Sequence, residues 1–153
     1  MSSQGIEVDQ IEQLRGRHVG RLLLRAHRAF NARATQKLRQ RGYDRLTLAH
    51  VNLLPHLDLE GTRITTLAER AGITKQGVGQ FVADLERQGY LVRESDPDDR
   101  RAALVRFSDA GRRLLRDAVA VTSELEVEYA AALGDRRLAS LRDALEALAN
   151  VRR

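Results

Sequence analysis

Apolar residues recur at three- and four-residue spacing along most of this chain, and the period drops to two in only two short runs. From Val8 to Gln40, Ile11, Leu14, Leu22, Ala26, Ala29 or Phe30, Ala34 and Leu38 trace one stripe, with Val19 and Leu23 beside it. That pattern predicts one long first helix, stopped near Gly42. Residues 1–7 are polar and are expected to fray. Thr47 stands as the N-cap of a short helix from Leu48 to about Leu57, which Pro55 must end or kink because it has no N–H. Asp58 to Gly61 reads as a turn, and Thr62-Arg63-Ile64 as a one-rung strand.

A shorter helix is then expected over Thr66 to Ala71, with Thr66 and Glu69 at capping-box spacing and Gly72 as its left-handed stop. Thr74 caps the next, which runs to about Gln88 with Val78, Phe81, Val82 and Leu85 as its apolar stripe. Alternation follows in Tyr90 to Glu94 and Ala103 to Phe107, joined by the charged turn Ser95 to Arg101. Ser108 caps a long helix from Asp109 to Leu133, whose core side is Leu114, Leu115, Ala118, Val121, Leu125 and Tyr129. Gly134 stops it, and Asp135 caps a last helix carrying Leu138, Leu141, Leu145 and Leu148. Helix, tight turn, helix, hairpin is the order of a winged helix-turn-helix. The expected fold is therefore mainly α with a small β-hairpin wing (α+β), in one domain over 1–153 with the winged part at 47–107.

The helix after Thr74 carries the first candidate chemistry. At about 100° per residue, Gln76, Gln80, Ala83 and Arg87 fall opposite its apolar stripe. Gly77 and Gly79 each cost a helix roughly 1 kcal/mol against Ala, which points to a close approach of the backbone to something. A recognition helix uses such a face on base edges, and Gln pairs bidentately with adenine. Thr74 and Lys75, at the helix N-terminus, suit phosphate contacts. In the hairpin turn, Arg101 is suited to a narrow minor groove and Arg100 to phosphate. Asp99 is read as the residue that orients Arg101 through a charge-assisted pair.

Composition narrows the picture. The chain has 153 residues, no cysteine, a formal net charge of +5 and a sequence pI of about 10.4. Disulfides, thiolate metal sites and thiol redox sensing are excluded. The basic balance suits a polyanion partner, although arginine-for-lysine usage of this degree also follows from a GC-rich genome. The distribution says more: Arg15 to Arg45 holds ten basic residues and one acid, Asp44, and Asp109 to Arg153 balances. Arg39, Arg41 and Arg45 belong either to a solvated face or to a phosphate-contacting one. There is no signal-peptide run and no stretch of about 18 apolar residues, so a cytoplasmic protein with no membrane contact is expected. No phosphate loop, nucleophile elbow or His-Glu-x-x-His motif is present, so no enzyme, cofactor or metal is expected.

Asp99-x-Arg101-x-x-x-Val105-x-Phe107-Ser108-x-x-Gly111 resembles the wing signature of the MarR family (multiple antibiotic resistance regulators), D-x-R-x-x-x-V-x-L-T-x-x-G, with Phe107 for Leu and Ser108 for Thr. Leu67 to Gln76 is similar to that family's first helix and turn. The resemblance implies an obligate homodimer whose dimerisation helices are 8–45 and 109–153. Excess apolar stripe on those helices, beyond what one winged domain needs, agrees. It also implies a small-molecule effector bound between the dimerisation helices and the winged region, with His18, Leu22, His27, His50, Leu54 and Leu57 as candidates. The expected function is a DNA-binding transcriptional regulator, a repressor on a pseudo-palindromic double-stranded operator, released by ligand. The alternatives are a sequence-nonspecific architectural DNA protein, a winged-helix protein-interaction module, and a metal-responsive regulator, the last disfavoured by absent cysteines and scattered histidines.

Overall fold

The structure, a computed structural model, describes residues 8–151; the polar stretch 1–7, expected to fray, lies outside them. Among the described residues, seven α-helices and a three-stranded sheet follow one another. They are α1 (Val8–Arg17), α2 (Val19–Gln40), α3 (Leu48–Leu53), β1 (Thr62–Arg63), α4 (Ile64–Ala71), α5 (Lys75–Arg87), β2 (Leu91–Ser95), β3 (Ala103–Phe107), α6 (Asp109–Leu133) and α7 (Asp135–Ala149). The sheet is antiparallel in the order β1-β3-β2. Thr62 lies opposite Val105, and Leu91 opposite Phe107, so the short strand expected at Thr62 does pair with the wing. The core sits where α3, α4, α5 and the sheet meet α2 and α6. Leu38, Leu46, Leu67, Val78, Val82, Leu85, Val105, Leu114, Val121 and Leu125 are its most buried apolar side chains.

Several local expectations are corrected. The single first helix is two: His18 takes an extended backbone (φ −67°, ψ 132°) between α1 and α2. Gly16 and Gly20 flank that residue and weaken helix on both sides. The capping box is not at Thr66 and Glu69, because α4 begins two residues earlier behind Arg63 with no side-chain cap. It is at α3 instead, between Thr47 and His50. That helix is also shorter than expected and passes at Leu54 into a one-turn 3₁₀ segment holding Pro55. Asp135 is the first residue of α7 and does not cap it; Gly134 (φ 83°) precedes it.

Other joints are as expected. Gly72 is left-handed (φ 65°) and ends α4, with Ile73 N–H on the carbonyl of Ala68. Ser108 Oγ accepts the N–H of Gly111 at 3.0 Å, capping α6. A Cβ on Gly111 would lie 1.9 Å from the Tyr90 carbonyl oxygen, so only glycine lets α6 dock on the root of the wing.

An ionic ladder joins α2 to α6. Arg33 pairs with Glu128, Lys37 with Glu124 and Glu128, and Arg41 with Glu124 and Asp117. Tyr43 donates to Asp117, and burial, followed by that hydrogen bond, pushes its phenol up to about 12. Arg41 is thereby engaged within the chain, and Arg39 donates to the Leu46 carbonyl at 2.8 Å.

Candidate nucleic-acid interface

The tight turn from α4 to α5 presents α5 N-terminus outward. Thr74 accepts the N–H of Gly77 at 3.1 Å, fixing the first turn, while its hydroxyl proton stays available as a donor. Val78, Val82 and Leu85 are buried and Phe81 is half-buried, so the apolar stripe lies on the core. Lys75, Gln76, Gln80 and Arg87 are exposed on the other side. The two glycines of this helix differ. A Cβ on Gly77 would press on the capping hydroxyl of Thr74 at 3.2 Å, a local reason for glycine. A Cβ on Gly79 would meet nothing within 4 Å. Nothing inside the chain requires Gly79.

The wing tip is built around an aspartate that sequence reasoning passed over. Asp96 is only 3% exposed. Its main chain accepts no substitute role: the N–H donates to the Ala102 carbonyl at 3.0 Å, and one carboxylate oxygen accepts the N–H of Asp98 at 2.9 Å. The other oxygen takes the guanidinium of Arg63, which tethers the tip to β1. The Asp98 amide foremost, and Arg63 after it, hold this carboxyl below the usual carboxylate range. The signal was present in Asp96-Pro97-Asp98, since Asp bonding to the amide two residues on is a common turn device. Asp99 does engage Arg101, but the expected pairing of side chains is corrected: Asp99 Oδ1 accepts the Arg101 main-chain N–H at 3.0 Å. The guanidinium is left outward.

Charge pairing separates the basic residues. Among the described residues, Arg87 pairs with Asp84, Arg93 with Glu86 and Arg106 with Glu94. Lys75, Arg100 and Arg101 have no ion-pair partner among them and are exposed. The cations left free on α5 and the wing are thus those selected from the sequence.

The six candidate pocket residues do not converge. His50, Leu54 and Leu57 are buried in the winged core. His18 and Leu22 lie on an exposed face, and His27 accompanies Asn31, whose amide donates to Asn52 Oδ1 at 2.6 Å across to α3. His18 borders an open concavity of about 650 Å³ between α1 and α2, shared with Leu14, Leu24 and four arginines, 15, 21, 25 and 28. No group of three or more potential metal ligands converges among the described residues, and no helix among them is long and apolar enough to cross a membrane.

Comparison with known proteins agrees with this geometry. Residues 46–102 match the sequence profile of the MarR family. The transcriptional regulator HosA of Escherichia coli O111:H- is 29% identical over 72 residues, 47% of this chain and 53% of that protein, so the match spans about half of its length. A MarR-family transcriptional regulator from Rhodococcus sp. RHA1 superposes with a TM-score of 0.70 at 26% identity, covering 97% of each chain. CouR from Rhodococcus jostii RHA1, solved bound to p-coumaroyl-CoA, gives 0.68 at 26% identity over 99% of each chain.

Proposed function

We propose that the winged helix-turn-helix of this chain is that of the MarR family and makes the protein a DNA-binding transcriptional regulator. The observation that carries this reading is the set of unpaired cations, Lys75, Arg100 and Arg101, flanking an exposed α5 face of Gln76, Gln80 and the open Gly79. In the proposed complex, α5 lies in the major groove with Gln76 and Gln80 on base edges. Thr74, Lys75 and Arg100 hold phosphates, and Arg101 enters the minor groove. Asp99 sets the Arg101 main chain and so its direction.

The regulator acts as a homodimer on a pseudo-palindromic operator, with two α5 helices about 34–36 Å apart. Operator occupancy blocks transcription. A small organic effector, of the kind CouR holds, relieves it by favouring a different spacing of the two winged regions. The concavity beside His18, between α1 and α2, is the surface offered for it.

Two substitutions test the contacts. Arg101→Ala should weaken binding to the operator and leave the melting temperature within a degree or two, since the side chain is exposed and has no ion-pair partner among the described residues; a large drop in melting temperature would make it structural. Gln80→Ala should relax preference at one or two operator positions, by about 1–3 kcal/mol for a bidentate contact. Equal weakening on every sequence would reduce it to a phosphate contact.

A further inference from the structure

His50 is 1% exposed and makes no use of the surface. Its ring Nδ1 accepts the main-chain N–H of Thr47 at 3.1 Å, while its own N–H donates to Thr47 Oγ1 at 3.3 Å. An accepting Nδ1 places the ring proton on Nε2. That nitrogen faces Asp84 Oδ2 of α5 at 2.9 Å. The ring also meets Phe81 of α5 edge-on, with centroids 6.2 Å apart. One imidazole therefore closes the cap of α3 and grips α5 at two positions three residues apart.

The consequence lies on the neighbouring face of α5. Gln80 precedes Asp84 by four residues, so it stands one turn from the carboxylate on the same side of the helix. Rolling α5 about its axis moves Gln76 and Gln80 only by taking Asp84 off His50. Burial pushes His50 below the ordinary histidine range against the pull of Asp84, which keeps the neutral tautomer that both bonds need. Arg87, through Asp84 Oδ1 at 2.8 Å, is the other group on that carboxylate, and it is the larger influence lowering Asp84.

We infer that His50 is a positioning residue for DNA readout: by tying the α3 cap to Asp84 it fixes the roll at which α5 presents Gln76 and Gln80. The inference rests on the reading of α5 as the base-contacting helix. Two measurements on the full chain separate the two ideas. The first is amide hydrogen exchange of α5 in the free protein. The second is the ratio of affinities for the chain's own upstream DNA and a scrambled duplex. Asp84→Ala removes the acceptor. Asp84→Asn keeps an acceptor for Nε2–H without the charge. His50→Asn keeps an acceptor for Thr47 but is too short to reach Asp84.

Exchange of the α5 amides should rise at least about tenfold relative to those of α6 in Asp84→Ala and His50→Asn, because a hydrogen bond to a charged group is lost from one element. The affinity ratio should fall by at least about tenfold in the same two variants. Asp84→Asn should stay close to the unsubstituted protein in both. Unchanged α5 exchange in Asp84→Ala, or equal losses in Asp84→Ala and Asp84→Asn, would overturn the assignment. If the unsubstituted chain does not discriminate between the duplexes, base reading fails, and the exchange result alone then decides whether His50 holds α5.

Discussion

At Gly111 the missing side chain is itself the structural element. The Tyr90 carbonyl occupies the space a Cβ would need, and it also accepts the N–H of Ser108 at 3.0 Å. Gly111→Ala must push backbone from backbone, which no rotamer change can relieve, and overpacking of this kind costs about 1–3 kcal/mol. Urea unfolding should report at least that loss; a variant as stable as the parent would show that the wing root yields freely. The glycine was legible in sequence as part of a resemblance, but its reason was not, because the partner atom lies 21 residues back in the chain. Asp96 and His50 were opaque for the same cause. Each is polar in a run that reads as surface, and each has a partner far off in the chain: Arg63 for one, Asp84 for the other. Thr74 and Ser108 were legible because their partners are three residues away.

At the scale of elements, helices with strong periodicity and local caps were read to within a residue or two, and errors fell where tertiary packing chose the boundary. α4 starts at Ile64 because β1 delivers the chain directly into it, and no side-chain cap is used. The break at His18 was hidden because the apolar stripe resumes in phase beyond it. α5 offers a sharper test of its own design. Gly79 has open space where a side chain would go, so Gly79→Ala should stabilise the free protein by roughly 1 kcal/mol through helix propensity. It should at the same time weaken DNA binding, if the backbone there approaches the duplex. Calorimetry and a binding titration on one preparation check both halves. A gain in stability with unchanged affinity would remove the reason for a glycine at that position.

On the scale of the whole molecule, one chain leaves a great deal of apolar surface bare. None of the described residues of α7 is buried, and Leu141, Leu145 and Leu148 are 44%, 41% and 51% exposed. On α2, Leu22, Leu23 and Leu24 are similarly open. Apolar faces of this kind mark association surfaces. We propose that a second copy covers them, as the excess stripe in the sequence implied. Sedimentation of the protein at micromolar concentration should give a dimer, and Leu145→Glu with Leu148→Glu should shift it to monomer while the winged core stays folded by circular dichroism. A monomeric parent protein would remove the basis for two-fold operator recognition. The α2–α6 ladder adds rigidity within each copy. Its pairs are solvent-exposed, and exposed pairs contribute about 0–1 kcal/mol each, so this surface and not the ladder should govern assembly.

Sequence-specific DNA binding is the claim on which the rest depends, and fluorescence anisotropy tests it most directly. The purified protein is titrated against a labelled duplex of its own upstream region and against a scrambled duplex of equal composition, both at about 150 mM salt, where the non-specific electrostatic contribution is held constant. The account predicts at least about a thousandfold preference for the native duplex. Equal affinity for the two would contradict it and make the winged surface a sequence-blind one.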